Sequence, residues 1–133
     1  MSQRSIQGLD RQGLDAAFEL EEARKSSLIL EAQLLRAQQR DEAAPKFAQA
    51  AELEERLSEL CEAKGLGEKS IVHRFSAASC WAQAGNFYRA ITLCDELLAH
   101  ADLPARLRQR VQDYVLTLRA RRAQLYAELA RVS

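Results

Sequence analysis

The sequence contains few residues that interrupt helices and no long hydrophobic run. Only five glycines and two prolines occur in 133 residues, whereas alanine, leucine, glutamate and arginine, which lose little on entering a helix, are abundant. No run approaches the roughly 18 consecutive apolar residues of a membrane-spanning helix. No apolar segment typical of an export signal follows Met1 to Ser5. These shortages predict a helical chain in the cytoplasm, with no membrane association.

Cysteine is also scarce, and its three positions favour neither a disulfide framework nor a metal site. Because the count is odd, Cys61, Cys80 and Cys94 cannot all be paired in disulfides within the chain. Their spacing matches no zinc signature, and we expect no bound metal. A reducing compartment fits three free thiols best, which agrees with a cytoplasmic location.

The sequence lacks the motifs from which enzyme chemistry is usually inferred. It has no phosphate-binding glycine loop and no nucleophile elbow. His73 and His100 have no carboxylate or cysteine at the spacing of a dyad or a metal site, so each is interpreted as an ordinary surface or packed imidazole. Two groups of glutamates are interpreted as solvated helix faces: Glu19, Glu21 and Glu22, and Glu52, Glu54, Glu55 and Glu59. We therefore expect a protein that is not an enzyme and has no cofactor.

The residues that are abundant predict one folded domain. Apolar residues make up 47% and charged residues 29% of the chain, enough to bury one core and to solvate its surface. Residues 1–13 contain Gly8 and Gly13 and little apolar content, so we predict a flexible N-terminal arm there. Residues 14–133 are predicted to form a single all-helical domain.

Apolar residues recur every three or four positions through most of this domain, which is the spacing of amphipathic helices. Lys64-Gly65 and Gly85-Asn86 interrupt the pattern, and Asp102-Leu103-Pro104 is typical of a helix start. The predicted fold class is all-α, with antiparallel helical hairpins and a long C-terminal helix. We predict five helices, at about residues 14–39, 42–64, 70–84, the stretch after Asn86 that runs to about Leu98, and 103–131.

The first predicted helix has more apolar surface than one packing face requires. The face assigned to packing collects Leu20, Ala23, Ser27, Leu30, Leu34 and Ala37. A second apolar set, on a neighbouring face, consists of Leu28, Ala32 and Leu35. The helix is therefore predicted to contact two different neighbours.

The segment around the Gly85-Asn86 turn resembles a tetratricopeptide repeat. The matching residues are Ala78 and Trp81 in its first helix, Gly85 and Phe87 at the turn, and Ala90 and Cys94 in its second helix. A weaker match involves Leu30, Leu34, Ala43, Phe47 and Ala50, where Gln39-Arg40 replaces the turn glycine. The resemblance covers about half of the chain. It implies a repeat-like stack of helical hairpins, and a generic helical bundle is the alternative.

In that family the first helices of successive hairpins line a groove that binds peptides or helices. By position, the resemblance implies a protein-binding groove formed by Lys25, Leu28, Ala32, Leu35 and Arg36 from the first helix and Val72, Phe75, Ser79, Ala82 and Gln83 from the third. An apolar floor with polar edges suits an amphipathic partner helix. The alternatives are that these residues belong to the core, or that the last helix folds back and fills the groove.

The long C-terminal helix suggests two further surfaces. Its apolar spacing continues beyond the length that the neighbouring helices can cover, which predicts an oligomer contact at Leu118, Leu125, Tyr126 and Leu129. Its arginines place Arg106, Arg110 and Arg121 near one basic face. Such a face could contact nucleic acid, although the chain as a whole has a formal net charge of zero.

Together these features predict a non-enzymatic protein-interaction module, an adaptor or assembly subunit that binds a protein segment in the groove between the first and third helices. The first alternative is a homo-oligomeric scaffold built through the C-terminal helix. The second is a nucleic-acid-associated factor that uses the basic face. The expected partner is another protein of unknown identity, in a homo- or hetero-oligomer, with nucleic acid as the less favoured partner.

Overall fold

The computed structural model describes the backbone of residues 2–132 and the side chains of residues 15–132. Over that range the chain is all-helical and contains no strand. The five helices are α1 (Ser2–Ala37), α2 (Ala43–Ala63), α3 (Gly67–Gln83), α4 (Phe87–Leu98) and α5 (Ala105–Val132). The predicted fold class, all-α with about five helices and a long C-terminal helix, is confirmed.

The first helix begins earlier than the sequence pattern indicated. Its backbone is helical from Ser2, twelve residues before the predicted start near Leu14. The side chains of residues 2–14 lie outside the described residues. The division into a flexible arm, residues 1–13, and a domain, residues 14–133, therefore stays a prediction.

The first three connections use the same helix-ending geometry. Gly65 and Gly85 have positive φ angles of 75° and 87°, and Gln39 adopts a φ of 57° at the equivalent place after α1. At each end a backbone N–H donates to the carbonyl five residues earlier, as from Asn86 to Trp81 at 2.9 Å. Asn86 then caps α4, because its side chain accepts a hydrogen bond from the Arg89 N–H at 3.1 Å. The predicted hairpin turn at Gly85-Asn86 is confirmed.

Small residues allow α3 and α4 to pack closely in the core. Ala78 and Ala90 are fully buried, and Trp81 is 8% exposed beside them. Phe87 packs against the same cluster from the start of α4. The hairpin thus has the packing that the sequence predicted for these positions.

The odd-numbered helices contact one another through side chains. The guanidinium of Arg36 on α1 donates to Gln83 Oε1 on α3 at 2.9 Å. On the other side of α3, the rings of Phe75 and Tyr114, the latter on α5, meet edge to face at 5.5 Å. Helices α1, α3 and α5 therefore lie side by side, with α3 in the middle.

Helix α1 packs through the apolar face that was expected to remain uncovered. Leu28 and Ile29 pack against the main core, and Ala32 is fully buried beside Phe47 of α2. Leu20, Leu30 and Leu34 are instead 62%, 59% and 56% exposed. The assignment of the packing face was therefore wrong. Both faces have helical spacing, and the position of α2 and α3 decides which one is covered.

Candidate protein-interaction surfaces

Within the described side chains of α1, an uncovered apolar stripe runs along the outer side of the helix. We call it the outer stripe, and it consists of Leu20, Ala23, Ser27, Leu30, Leu34 and Ala37, all of them exposed. These residues alternate steps of three and four, so they form one nearly straight seam along the helix. Contiguous apolar surface of this kind commonly marks a binding site in a folded protein.

The predicted groove between the first and third helices is only partly open. Ala32 is fully buried and Ala82 is 8% exposed, so the prediction that these two residues line an open groove was wrong. Leu28 and Leu35 are partly covered because they pack against the core clusters. The apolar groove residues of α1, Leu28, Ala32 and Leu35, point into the protein because α2 packs under the same face.

The two ends of the α1–α3 junction are closed by polar contacts. Arg36 reaches across to Gln83, as described above. At the opposite end the rings of Phe18 and His73 meet edge to face at 5.9 Å. Lys25, another predicted groove residue, is directed toward Glu54 of α2, with 3.4 Å between its Nζ and Oε1. These contacts leave little room for a partner segment between α1 and α3.

Two of the predicted groove residues of α3, Phe75 and Ser79, contact Tyr114 of α5. Val72 is 46% exposed, and Phe75 and Ser79 are partly exposed. Phe75 lines a shallow depression together with Arg110 and Tyr114 of α5. Burial raises the pKa of Tyr114, and its hydrogen bond with Ser79 acts in the opposite direction. The accessible part of the groove is thus a depression between α3 and α5.

A charged cluster lies beneath the α1–α3 junction. Glu54 is only 1% exposed, and one of its oxygens lies 3.4 Å from both Lys25 Nζ and His73 Nδ1. Glu22 lies 3.2 Å from His73 Nε2 and 3.3 Å from Lys25 Nζ. Burial disfavours the charged form of Lys25, but Glu54 and Glu22 outweigh it, and the pKa of Lys25 is raised.

The sequence interpretation missed this cluster. The assignment of Glu54 to a solvated helix face was wrong. His73 is a packed imidazole, which was one of the two roles expected for it. The available signal was the position of Glu54 beside Leu53 and Leu57, both of which lie on the buried side of α2. The cluster ties three helices together, and its groups are engaged with one another, so we interpret it as structural.

The predicted oligomer contact on the last helix divides into two parts. Leu118 is fully buried in the main core, so its assignment to an exposed contact was wrong. Leu125, Tyr126 and Leu129 are 40%, 62% and 57% exposed. The division follows from how α5 is covered, because Leu118 packs in the core whereas Leu125 and Tyr126 line a shallow depression beside the start of α4.

The predicted basic face is partly occupied by contacts within the chain. Arg106 donates to Glu68 at 2.9 Å, and Arg110 lies at the α3–α5 depression beside Asp113. Arg121 is exposed. Because an acidic residue accompanies two of the three arginines, the positive potential of this face is lowered.

The three cysteines are free thiols, and all are buried. Desolvation raises the pKa of Cys80 and of Cys94 to about 11 in each case. Thiols with raised pKa values are poor nucleophiles at neutral pH, because the thiolate is the reactive form. Within the described part of the chain, no group of three or more His, Cys, Asp or Glu residues is arranged to hold a metal ion.

Among the described helices, none combines the length and apolar character that crossing a membrane requires. No protein-family model matches this chain, and comparisons with curated proteins and with solved structures find no significant match.

Proposed function

We propose that this chain is a non-enzymatic protein-interaction module, an adaptor or assembly subunit of the cytoplasm, which binds a helix along the outer stripe of α1. The observation that carries the proposal is the exposure of Leu20, Leu30 and Leu34 on one seam of a helix whose opposite face is packed. A partner helix with matching apolar residues would bury this seam by knobs-into-holes packing.

The free energy of binding at the outer stripe would come mainly from its three leucines. Burial of apolar surface contributes roughly 25 cal/mol per Å², so each leucine that becomes covered contributes on the order of 1–2 kcal/mol. Ala23, Ser27 and Ala37 add little area but allow a partner helix to approach closely. Such a site has the features of an interface core, which a few large apolar side chains dominate.

The originally expected groove and the tetratricopeptide-like interpretation remain hypotheses. The depression between α3 and α5 includes Phe75, but this side chain already packs against Tyr114. A second candidate surface is the C-terminal half of α5, favoured by the exposure of Leu125 and Tyr126. The outer stripe is preferred to both because it is longer and carries three exposed leucines on one seam.

The proposal is tested with the double variant Leu30→Glu/Leu34→Glu. We expect this variant to keep its helicity and melting temperature, because both side chains are already in solvent, and to lose its partner. The matched control is Leu116→Glu, which places the same charge at a leucine of α5 that is 63% exposed. The mass of the native complex formed by each protein is measured. Equal complex formation by all three proteins would contradict the assignment of the outer stripe.

A further inference from the structure

We infer that the helix bound by the outer stripe is α1 of a second copy of this chain, packed antiparallel to the first. This inference rests on the proposed function and names its partner. Three features of α1 support it: the pattern of exposure, the sizes of the side chains on the seam, and the charges that flank the seam.

The exposure pattern of α1 is that of a coiled-coil helix whose outer face has no partner within the chain. In a heptad abcdefg with Leu20 at a, the outer stripe occupies consecutive a and d positions from 20 to 37. The flanking e and g positions are Glu19, Arg24, Ser26, Glu31, Gln33 and Gln38, and all of them are exposed. The covered residues, including Leu28, Ile29, Ala32 and Leu35, occupy b, c and f positions. The body of the protein thus lies on the side opposite the seam and leaves the seam accessible.

The side-chain sizes on the seam favour an antiparallel copy. When two such helices run in opposite directions, a positions face d positions. The register that centres on Ser27 and Leu30 then gives six layers, each of which pairs one leucine with one small residue. They are Leu20 with Ala37, Ala23 with Leu34 and Ser27 with Leu30, each formed twice by the two-fold symmetry.

A parallel pair of the same helices would be packed less evenly. Each residue would face its own counterpart, so three layers would hold two leucines and three would hold two small residues, including Ser27 opposite Ser27. The leucine layers would hold the two helices apart, so the layers of two small residues would leave gaps between them. Such unfilled volume weakens packing. The antiparallel arrangement has nearly the same side-chain volume in each layer, so the two helices can lie close along the whole seam.

The flanking charges agree with the antiparallel register. In this register the e position of one chain lies near an e position of the other, so Arg24 approaches Glu31 of the second copy, and the pair occurs twice. Both side chains are exposed and lie beside the seam. Glu31 also has Lys46 of its own chain at 3.4 Å, which leaves its second oxygen available. Exposed pairs of this kind add little affinity, and this pair is compatible with the antiparallel register.

The first experiment measures mass in solution. Sedimentation equilibrium at tens of micromolar is expected to give twice the chain mass of 15.0 kDa. Leu30→Glu/Leu34→Glu should raise the dimer dissociation constant by at least about a hundredfold, because it places four charges in the seam. Leu116→Glu should leave the dimer unchanged. A wild-type chain that stays monomeric under these conditions overturns the inference.

The second experiment determines orientation by disulfide cross-linking under mild oxidation. Leu20→Cys and Ala37→Cys chains are mixed and allowed to exchange. The antiparallel register predicts a cross-link between one chain of each kind and none in either variant alone, because two copies of residue 20 lie far apart. The three native cysteines are buried and are therefore not expected to form cross-links in either variant. Efficient cross-linking of Leu20→Cys with itself would show a parallel pair and overturn the inference.

A charge exchange provides an independent check of the register. Arg24→Glu should weaken the dimer several-fold, and Arg24→Glu/Glu31→Arg should restore it, because the pair is remade with its signs reversed. In a parallel pair the new glutamate would face Glu19 of the second copy, and no recovery would follow. Absence of recovery would therefore contradict the antiparallel register.

The outcomes separate this inference from the proposed function. If the wild-type chain is a monomer but another protein forms a complex that Leu30→Glu/Leu34→Glu abolishes, the outer stripe is a binding site and the identity of the partner is wrong. If the chain is a monomer and the double variant forms the same complexes as the wild type, both proposals fail.

Discussion

At the scale of single residues, the α3–α4 hairpin depends on the small size of Ala90. This residue has no exposed surface, and it lies in the same cluster as Ala78 and Trp81. Ala90→Leu should lower the free energy of unfolding by about 1–3 kcal/mol, because extra methylene groups overpack the contact. Ala123→Leu, the same change at an exposed site of α5, should have an effect below about 0.5 kcal/mol. Thermal or urea unfolding measures both, and equal stabilities would refute the close packing at Ala90.

The buried carboxylate of Glu54 is a second point where one side chain has a large effect. Glu54→Ala should lower the free energy of unfolding by about 3 kcal/mol, because Lys25 and His73 would lose their shared partner in a partly dry site. Glu52→Ala, at an exposed position of the same helix, is the matched control. Urea unfolding should separate the two variants clearly. Similar stabilities would show that the cluster contributes little.

The buried thiols predict a loss of stability in alkaline solution. The pKa of Cys80 and of Cys94 is about 11 in the folded chain, against 9.0 for a free thiol. Their contribution to stability is complete below pH 9 and is lost as the pH rises toward 11, because the unfolded chain releases these protons first. The free energy of unfolding should fall more steeply over this interval in the wild type than in Cys80→Ala/Cys94→Ala. Parallel curves for the two proteins would contradict this prediction.

At the scale of helices, α5 has two halves with different roles. Leu107, Val111, Val115 and Leu118 are buried, whereas every residue after Leu118 except the partly exposed Arg122 is exposed as far as Val132. The first half therefore completes the core. The second half lies on the surface beside the start of α4, where Leu125 and Tyr126 line a depression, and has little part in the core.

This division predicts the result of two truncations. A chain that ends after Ala120 should fold with a melting temperature close to that of the full chain, because it keeps all four buried residues of α5. A chain that ends after Asp113 loses Val115 and Leu118 and should be destabilised by several kcal/mol, since each buried aliphatic side chain contributes about 2–5 kcal/mol. Circular dichroism melting measures both. An unfolded Ala120 truncation would show that the second half of α5 is required.

Much of the element pattern could be predicted from the sequence. The ends of α2, α3 and α4 agree with their glycine and proline signals within a few residues, because these signals act locally. The start of α1 differs, because Gly8 and Gly13 were interpreted as part of a flexible arm whereas the helical backbone continues through both positions. The covered face of α1 was assigned wrongly because two apolar sets with the same spacing are equivalent until the neighbours are known.

At the scale of the whole molecule, the uneven charge of the chain is partly balanced within it. Residues 1–64 are acidic and residues 103–133 are basic. Arg106 pairs with Glu68 of α3, and Arg119 pairs with Asp95 of α4 at 3.1 Å. The basic helix is therefore used in part to hold neighbouring helices, and exposed ion pairs of this kind contribute little to stability.

The balance of apolar and charged contacts predicts how self-association responds to salt. The seam of the proposed dimer contains six apolar layers and only two exposed ion pairs, so burial should dominate. The dissociation constant should change by less than about tenfold between low salt and about 0.5 M salt, where exposed charges are largely screened. Sedimentation at the two salt concentrations measures this. Dissociation of the dimer in high salt would show that charge, and not the outer stripe, holds the two chains together.

The sequence by itself determined the helical class, the number of helices, the Gly85-Asn86 turn and the small-residue contact around Ala90, because propensity, turn geometry and spacing are local properties. Only the tertiary structure decided that Ala32 and Leu118 are covered, that Leu30 and Leu34 are not, and that Glu54 is buried with Lys25 and His73. Those outcomes depend on which helices lie beside each face and on how much of that face they cover. The spacing of residues along one helix does not determine either of these.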